Sequence, residues 1–418
     1  MSLKRLLMCL LVVSMVLGLE SFGASAANPP IKIGFMSSLT GALAGAGGEL
    51  RDGFLLYLEE IGGKIGDREI RVIVEDDEGN PGVGLTKFRK LVEKDKVNLL
   101  AGIFSSGVAY AVRDYVHEQQ IPLVICNAGG YELTGRKASP YLFRTSFSNT
   151  TTNQYFADYV YEKLGSRRAI LLGQDYPAGW EWLGAFGYYF IKKGGKVVQE
   201  FYTKIGTTDF APYITAMDER KADVLYTMLS GADAIRFNIQ YKELGKKGKI
   251  PLLTPMNQVD GVVIREAGEA SSGIIFAEPF GDLQSPEWAK FWSLYSKTYK
   301  TNDISNFAAH GYVGAMFIVK ALREIKGNIE DKTAFMKEMK TTKIESPIGL
   351  KSLDGYQNAI HDVVIMQLKK VGDKFEYVLL KKIPQAGQFG NMSPEKWMKT
   401  IPDWGKMRGK WVDYKPTE

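Results

Sequence analysis

Two serines and a glycine, Ser105-Ser106-Gly107, stand between an apolar strand pattern and a helix pattern in the sequence GIFSSGVAYAV. The first turn of a helix offers free backbone N–H groups and a partial positive charge. Serine hydroxyls add donors, and glycine lets a ligand approach the backbone. Together these groups suit a carboxylate held without lysine or arginine. An ordinary serine cap of the helix explains the same residues equally well.

The next strand pattern ends in a second run of small residues, CNAGGYELTG at 126–135. Ligands of open parallel sheets bind at the carboxyl edge of the strands. Because two neighbouring strands end in this way, the sequence favours a ligand site over a simple helix cap. A third strand-to-helix turn, GQDYPAGWEW, provides Tyr176 and Trp180 as candidate covers for a bound molecule.

The common motifs of enzyme chemistry are missing from the sequence. It contains no G-x-x-x-x-G-K-[ST] loop, and the glycine-rich GALAGAGGEL at 41–50 lacks the G-x-G-x-x-G spacing. HEQQI at 117–121 begins like a zinc-binding helix, but Ile121 stands where the second histidine would be. We therefore expect a protein that is not an enzyme and that needs no metal or cofactor.

Composition is typical of a globular protein rather than a disordered or membrane-embedded one. Hydrophobic residues make up 45% and charged residues 24% of the sequence. The length of 418 residues is enough for two domains with ordinary cores. The formal net charge of +6 is spread along the chain rather than clustered. A nucleic-acid partner is therefore not expected.

Residues 1–26 have the features of a secretory signal peptide. Two basic residues precede the apolar run at 6–19, which ends near the Ala-Ser-Ala at 24–26. The run is short for a membrane span, which needs about 20 apolar residues. We expect cleavage after Ala26 and a periplasmic mature protein. Cleavage leaves Cys126 without an internal disulfide partner, as a buried small hydrophobic residue.

Strand and helix patterns alternate from residue 31 onward. Continuous apolar strands separated by amphipathic helices indicate a parallel sheet covered on both faces. The pattern restarts after 147, so that two groups of strands are predicted, at 31–40, 68–77, 98–104 and 121–126, and at 168–176, 196–205, 222–229 and 250–256. We expect two Rossmann-like α/β lobes with a ligand cleft between them and a hinge that permits closure.

The last third of the chain is expected to cross between the lobes more than once. The predicted division is a signal peptide at 1–26, lobe 1 at 27–147 plus 276–345, lobe 2 at 148–275 plus 346–385, and a C-terminal extension at 386–418. The segments 361–371 and 375–383 predict an antiparallel hairpin. The extension is basic with interleaved tryptophans, and packing against a lobe is favoured over contact with a membrane surface or a permease.

Taken in order, these segments resemble the leucine/isoleucine/valine-binding protein family, the type I periplasmic solute-binding proteins of ABC importers. The resemblance covers about 30 to about 370 and begins at IKIGFMSSLTGALAGAGGELRDGFLLYLEEIGG, a strand, a glycine-bearing loop and a helix. It continues through the acidic strand end and the serine turn of VIVEDDEGNPGVGLTKFRKLVEKDKVNLLAGIFSSGVAYAV and through IPLVICNAGGYELTG. It implies a two-lobed, non-catalytic receptor that closes on a small ligand.

The resemblance also implies which residues bind that ligand. The two strand turns of lobe 1 would hold its carboxylate and amino group, and strand turns of lobe 2 would close over it. The implied set is Ser105, Ser106, Asn127, Ala128, Gly129, Tyr176, Ser230, Met256 and Phe307. Met256 stands where amino-acid-binding members carry the acidic partner of the ligand's ammonium group.

Met256 leaves the class of ligand open. A buried ammonium without a carboxylate partner is costly, so the ligand lacks an α-amino group unless Asp175 or Asp233 substitutes. We expect a monomer that delivers an amino acid or small carboxylate to an inner-membrane ABC permease. The alternatives are a receptor for an aromatic acid or amide without an α-amino group, and a sensory protein that serves a signalling partner.

Overall fold

The computed structural model describes residues 28–281, 283, 285–303 and 306–416. The expected signal peptide lies outside these residues. The strands are β1 Ile31–Ser37, β2 Lys64–Ile65, β3 Arg68–Asp76, β4 Leu99–Gly102, β5 Leu123–Ile125, β6 Leu142–Arg144, β7 Arg168–Gln174, β8 Lys196–Thr203, β9 Val224–Met228, β10 Leu252–Pro255, β11 Ile275–Glu278, β12 Ile344–Ser346, β13 Gly349–Leu353, β14 Ala359–Val371 and β15 Lys374–Ala386.

The helices of the described chain mostly alternate with these strands, and short 3-10 turns connect several of them. The α-helices are α1 Ala44–Glu60, α2 Pro81–Arg89, α3 Ser106–Glu118, α4 Thr151–Glu162, α5 Pro177–Lys192, α6 Ala211–Ala216, α7 Ala232–Glu243, α8 Gly261–Ala267, α9 Pro286–Tyr299, α10 Asn306–Glu324, α11 Lys332–Thr341, α12 Pro394–Thr400 and α13 Trp404–Met407. None of the helices in the described ranges is long and apolar enough to cross a bilayer.

Lobe 1 is built on a sheet with the strand order β2-β3-β1-β4-β5-β6. From β3 to β6 the strands are parallel, and the short β2 pairs antiparallel with β3. Strands β1, β4, β5 and β6 are almost fully buried because helices cover both faces of a parallel sheet, whereas β3, next to the edge strand β2, is largely half-buried. Helix α10 returns from the second half of the chain and packs along α1.

Lobe 2 is built on a sheet with the order β12-β13-β14-β11-β10-β9-β7-β8, and β15 extends it by pairing with β14. The central strands β8, β7, β9, β10 and β11 are parallel, and β14 joins β11 antiparallel. The predicted hairpin is confirmed as β14 and β15. The expected architecture of two α/β lobes with mostly parallel sheets is therefore confirmed.

The position of β11 changes one predicted boundary. The sequence assigned residues from 276 onward to lobe 1, but β11 at 275–278 pairs with β10 and β14 in the sheet of lobe 2. The crossing to lobe 1 therefore follows Glu278. The same correction applies at 344–345, because β12 pairs with β13 at the edge of that second sheet.

The predicted packing of the C-terminal extension is confirmed. Its three tryptophans, Trp397, Trp404 and Trp411, are fully buried, in one apolar cluster with residues of α5 and β7. The extension therefore contributes to the core beside lobe 2, and its aromatic residues are not a surface strip.

Candidate functional site

The two lobes touch at the carboxyl edges of their sheets. A Cβ built on Gly231 of lobe 2 would lie 2.4 Å from the backbone oxygen of Ala42 in lobe 1. A Cβ built on Gly107, in the first turn of α3, would lie 3.8 Å from Cδ of Pro177, the first residue of α5. The strand ends of both lobes thus meet across a narrow cleft.

The predicted site residues lie along this cleft edge of both lobes. Each follows the end of a strand, except Phe307, which is the second residue of α10. After β4 and β5 come Ser105, Ser106, Asn127, Ala128 and Gly129, and after β7, β9 and β10 come Tyr176, Ser230 and Met256. A parallel sheet brings the carboxyl ends of its strands to one edge, and the residues predicted from the sequence lie along that edge in each lobe.

Ser105 occupies the cap position of α3 without capping it. Its backbone is extended and its side chain accepts no hydrogen bond from any described residue of the helix. Ser106 follows, 2% exposed, and its Oγ lies 3.4 Å from Nδ2 of Asn149. A simple capping role, which the sequence alone could not exclude, does not explain the Ser105 hydroxyl.

The turn after β5 is held by backbone groups of lobe 1 and packs against Asn149 at the start of lobe 2. Nδ2 of Asn127 donates to the backbone oxygen of Phe104 at 3.1 Å, and its Oδ1 has no hydrogen-bond partner among the described residues. The Ala128 N–H is taken by the Ile103 oxygen. A Cβ on Gly129 would lie 2.0 Å from Oδ1 of Asn149, so only glycine fits there.

The lobe 2 edge carries a short polar chain. Nδ2 of Asn257 donates to Oγ of Ser230 at 2.8 Å. Burial raises the pKa of the nearby Tyr176 hydroxyl, and its hydrogen bond with the Ser230 side chain opposes that shift. Met256 packs in the apolar core, and its N–H donates to Oε2 of Glu278 at 3.2 Å.

The two carboxylates proposed as substitutes for the missing acidic residue are engaged within the protein. Asp175 accepts from Nε1 of Trp180 at 2.7 Å and pairs with Arg408. Through Oδ2, Asp233 accepts from Nε2 of Gln174 at 2.8 Å and from the Gly206 N–H at 3.0 Å. Its Oδ1 makes no hydrogen bond with the described residues but lies 3.5 Å from Nη1 of Arg236 in an ion pair. These two carboxylates therefore already have partners within the protein and are poor candidates to pair with a ligand's ammonium group.

A cavity of about 250 Å³ lies between the lobes, beside this edge. Lobe 1 contributes the turn before α1 and Phe307, and lobe 2 contributes the turns after β9 and β10. Of the nine predicted site residues, all of them described, Phe307 lines the cavity, and its ring meets Phe104 at 5.1 Å. Asn257 lines it beside the buried Met256.

Asp260, which the sequence analysis missed, is an acidic residue in the wall of this cavity. One oxygen, Oδ1, caps α8 by accepting from the Val262 N–H at 3.0 Å. The other, Oδ2, has no partner within the described ranges. Burial raises the pKa of this carboxyl to about 7, so it can donate or accept a hydrogen bond near neutral pH.

Glu181 of α5 also escaped the sequence analysis. It is buried, and it accepts from the Tyr110 hydroxyl at 2.7 Å, the Tyr131 N–H at 3.0 Å and Asn149 Nδ2 at 2.8 Å. The two tyrosines belong to lobe 1, so this carboxylate connects the lobes. The available sequence signal was one acidic residue inside the apolar helix PAGWEWLGAFGYYF.

Comparison with known proteins agrees with this architecture. A family described as "Periplasmic binding protein" matches residues 30–373. The Leu/Ile/Val-binding protein homolog 6 of Brucella melitensis is 26% identical over 367 residues, which are 86% of this chain and 93% of that protein. The resemblance stated from the sequence is thereby confirmed.

Two solved structures share the fold over nearly their whole length. An ABC transporter substrate-binding protein from Sphaerobacter thermophilus is 33% identical, with a TM-score of 0.79 over 85% of this chain and 98% of its own. A solute-binding protein of an ABC transporter from R. palustris, in complex with benzoate, is 28% identical, with a TM-score of 0.80 over 86% of this chain and 97% of its own.

The family match covers both lobes, and the strand ends of those lobes meet at the cleft that holds the predicted residues. Partners implied by the family are a small-molecule ligand and a membrane permease. The chain therefore belongs to the periplasmic binding protein family, as a solute-binding protein of the ABC transporter type.

Proposed function

We propose that this protein captures an aromatic carboxylate of the benzoate class in the interlobe cleft and delivers it to its permease. The uncharged donors at the edge of lobe 1 carry the proposal, together with Met256 at the position where amino-acid-binding members have the acidic partner of the ammonium group. Lobe 1 offers the uncharged donors of Ser105 and Ser106 at the first turn of α3, which suit a carboxylate. On lobe 2, Asp175 and Asp233 are engaged within the protein.

Two further observations support an aromatic ligand. Phe307 and Phe104 form an edge-on aromatic pair at the cavity, and ring edges and faces pack well against a further ring. The benzoate complex of the R. palustris protein has the same fold. We infer from the signal-like residues 1–26 that the chain is exported before it binds this ligand.

A branched-chain amino acid is the second candidate, and Asp260 favours it. Asp260 lines the cavity, and its buried Oδ2 has no hydrogen-bond partner among the described residues, so that it would be the acidic group beside a ligand's ammonium. The name of the Brucella melitensis relative also points to leucine, isoleucine or valine as ligands. Burial keeps much of the Asp260 carboxyl protonated near pH 7, however, and a neutral carboxyl is a poor partner for a cation.

Isothermal titration calorimetry with paired ligands tests the proposal. Benzoate and 4-hydroxybenzoate are expected to bind, whereas leucine and isoleucine are not expected to bind. The pair 3-phenylpropionate and phenylalanine isolates the amino group, because the two molecules differ only in that substituent. Tight binding of leucine without binding of benzoate would overturn the proposal. In that case, Asp260→Asn is expected to abolish leucine binding.

A further inference from the structure

The C-terminal strap, defined as residues 387–416, contacts both lobes. It lies beyond the part of the chain that matches the family, 30–373. It leaves the last strand of lobe 2 and forms α12 and α13 on its way to the described end of the chain. Its contacts fall into one set on lobe 1 and another on lobe 2.

On lobe 1, the strap is held by the turn that follows β5. Arg136 donates from Nε to the backbone oxygen of Met398 at 2.8 Å and from Nη2 to that of Ile401. Gln388 and Thr134 exchange two hydrogen bonds, at 2.8 and 3.0 Å. These bonds are polar and directional, so they specify where this part of the strap lies.

On lobe 2, the strap is held by α5 and β8. Trp411 is fully buried, and its N–H donates to Oε1 of Glu200 at 2.8 Å. Arg408 pairs with Asp175 at the end of β7. A Cβ on Gly184 of α5 would lie 3.1 Å from ring atoms of both Trp404 and Trp411, so the small residue makes room for the two indoles.

Trp404 stands between the two sets of contacts. Its ring lies 5.7 Å from Tyr131 of lobe 1 and 5.7 Å from Tyr188 of lobe 2. A rotation that opens the cleft changes the position of Tyr131 relative to Tyr188. Opening therefore has to withdraw Trp404 from one of these rings, or detach the strap from lobe 1.

We propose that the C-terminal strap is an interlobe clasp that stabilises the closed arrangement and slows the release of bound solute. The free energy of its contacts with lobe 1 adds to the closed state and is lost when the lobes separate. The chain crossovers between the lobes permit rotation. The strap makes that rotation less favourable without taking part in ligand recognition.

Arg136→Ala tests the clasp, because it removes two of the hydrogen bonds between the strap and lobe 1 and leaves the buried tryptophans on lobe 2. Arg113→Ala is the matched control. Arg113 also donates to two backbone oxygens, those of Lys137 and Ala138, at 2.8 and 3.0 Å, but both lie within lobe 1. Thermal unfolding of both variants checks that they fold, and Gln388→Ala replaces Arg136→Ala if that variant does not.

The readout is the distance between spin labels on the two lobes, measured by pulsed electron paramagnetic resonance on ligand-free protein that carries Cys9→Ser. Labels at the exposed positions Thr86→Cys and Lys204→Cys report closure, and the fully buried Cys126 stays unlabelled. The clasp predicts a short distance in the parent protein. It also predicts a closed-to-open ratio lowered about tenfold in Arg136→Ala and unchanged in Arg113→Ala.

Three results would overturn the proposal. The first is a ligand-free parent protein in which only the long distance between the two spin labels is observed. The second is an Arg136→Ala distribution that matches the parent, which would mean that the strap follows lobe 2 alone. The third is an equal shift in both arginine variants, which would indicate general loosening of lobe 1. None of these measurements depends on the identity of the solute.

Discussion

Among single residues, Ser105 is the one whose substitution best distinguishes a role in ligand binding from a role in stability. Its hydroxyl is at a cap position but caps no described part of α3. Ser285, by contrast, accepts from the Trp288 N–H at 3.1 Å at the start of α9 and is a working cap. The two serines have the same type and the same helix position, so one is the natural control for the other.

Ser105→Ala is expected to weaken benzoate binding about tenfold and to leave the free energy of unfolding nearly unchanged, because the proposed function assigns the lost hydrogen bond to the ligand. Ser285→Ala is expected to lower the free energy of unfolding by about 1 kcal/mol and leave binding unchanged. Calorimetry and urea unfolding of both variants check this. A stability loss in Ser105→Ala with intact binding would return Ser105 to the role of a helix cap.

The raised pKa of Glu181 predicts that the protein becomes less stable as the pH rises. Burial raises its pKa to about 7 in the folded protein, from an ordinary value of 4.5. Between these values, the folded protein keeps a proton that the unfolded chain has released. The free energy of unfolding therefore falls as the pH rises from about 4.5 to about 7, by about 3 kcal/mol from this group.

Glu181→Gln is expected to flatten this fall, measured by urea unfolding at pH 5 and pH 8. Part of the slope remains, because burial also raises the pKa of Glu278 to about 7. Glu118→Gln, at an exposed position at the end of α3, is the control and should retain the full slope. Equal slopes in the Glu181→Gln and parent proteins would contradict the assignment.

On the scale of elements, glycines set the contact between α1 and α10. A Cβ on Gly53 would lie 1.8 Å from the Ala308 oxygen, and one on Gly311 would lie 2.0 Å from the Leu50 oxygen. Both obstructing atoms belong to the backbone and cannot rotate away. The two helices therefore approach each other at matched glycines, and this contact joins the returning helix to lobe 1.

Gly311→Ala is expected to lower the free energy of unfolding by about 3 kcal/mol, because the helices must separate to admit the methyl group. Gly48→Ala is the control on α1, since a Cβ there has nothing within 4 Å. The control should be stabilising by up to about 1 kcal/mol through helix propensity. Thermal or urea unfolding checks both, and a neutral Gly311→Ala would contradict this close packing.

Local patterns predicted the elements well, because strand and helix periodicity depend on near neighbours in the sequence. The main parallel strands of both lobes and the β14–β15 hairpin lie where periodicity placed them, whereas the short strands β2, β6, β12 and β13 were not predicted. The boundary at β11 was wrong because sheet membership depends on pairing with β14, some 90 residues away. Glu181 was missed for the same reason, since its role arises from contacts between the lobes. Asp260 was missed because its place in the cavity wall depends on how the two lobes come together.

At the scale of the whole molecule, the proposed function depends on the contact between the two lobes at the carboxyl edges of their sheets. Gly107 lies at this contact, because a Cβ built on it would lie 3.8 Å from Cδ of Pro177 across the cleft. Its backbone is helical and tolerates side chains, so a larger residue there should leave lobe 1 folded. A leucine at this position would stand between the lobes and hold them apart.

Gly107→Leu is therefore expected to weaken benzoate binding at least about tenfold while the thermal unfolding midpoint stays near that of the parent protein, because binding requires contacts from both lobes at once. Small-angle scattering with saturating benzoate should show the parent protein compact and the variant expanded. Gly48→Leu, on the open face of α1, is the control that should bind and compact normally. Normal compaction of Gly107→Leu would mean that the lobes do not close along this edge, and the cleft would then have to bind its solute from one lobe alone.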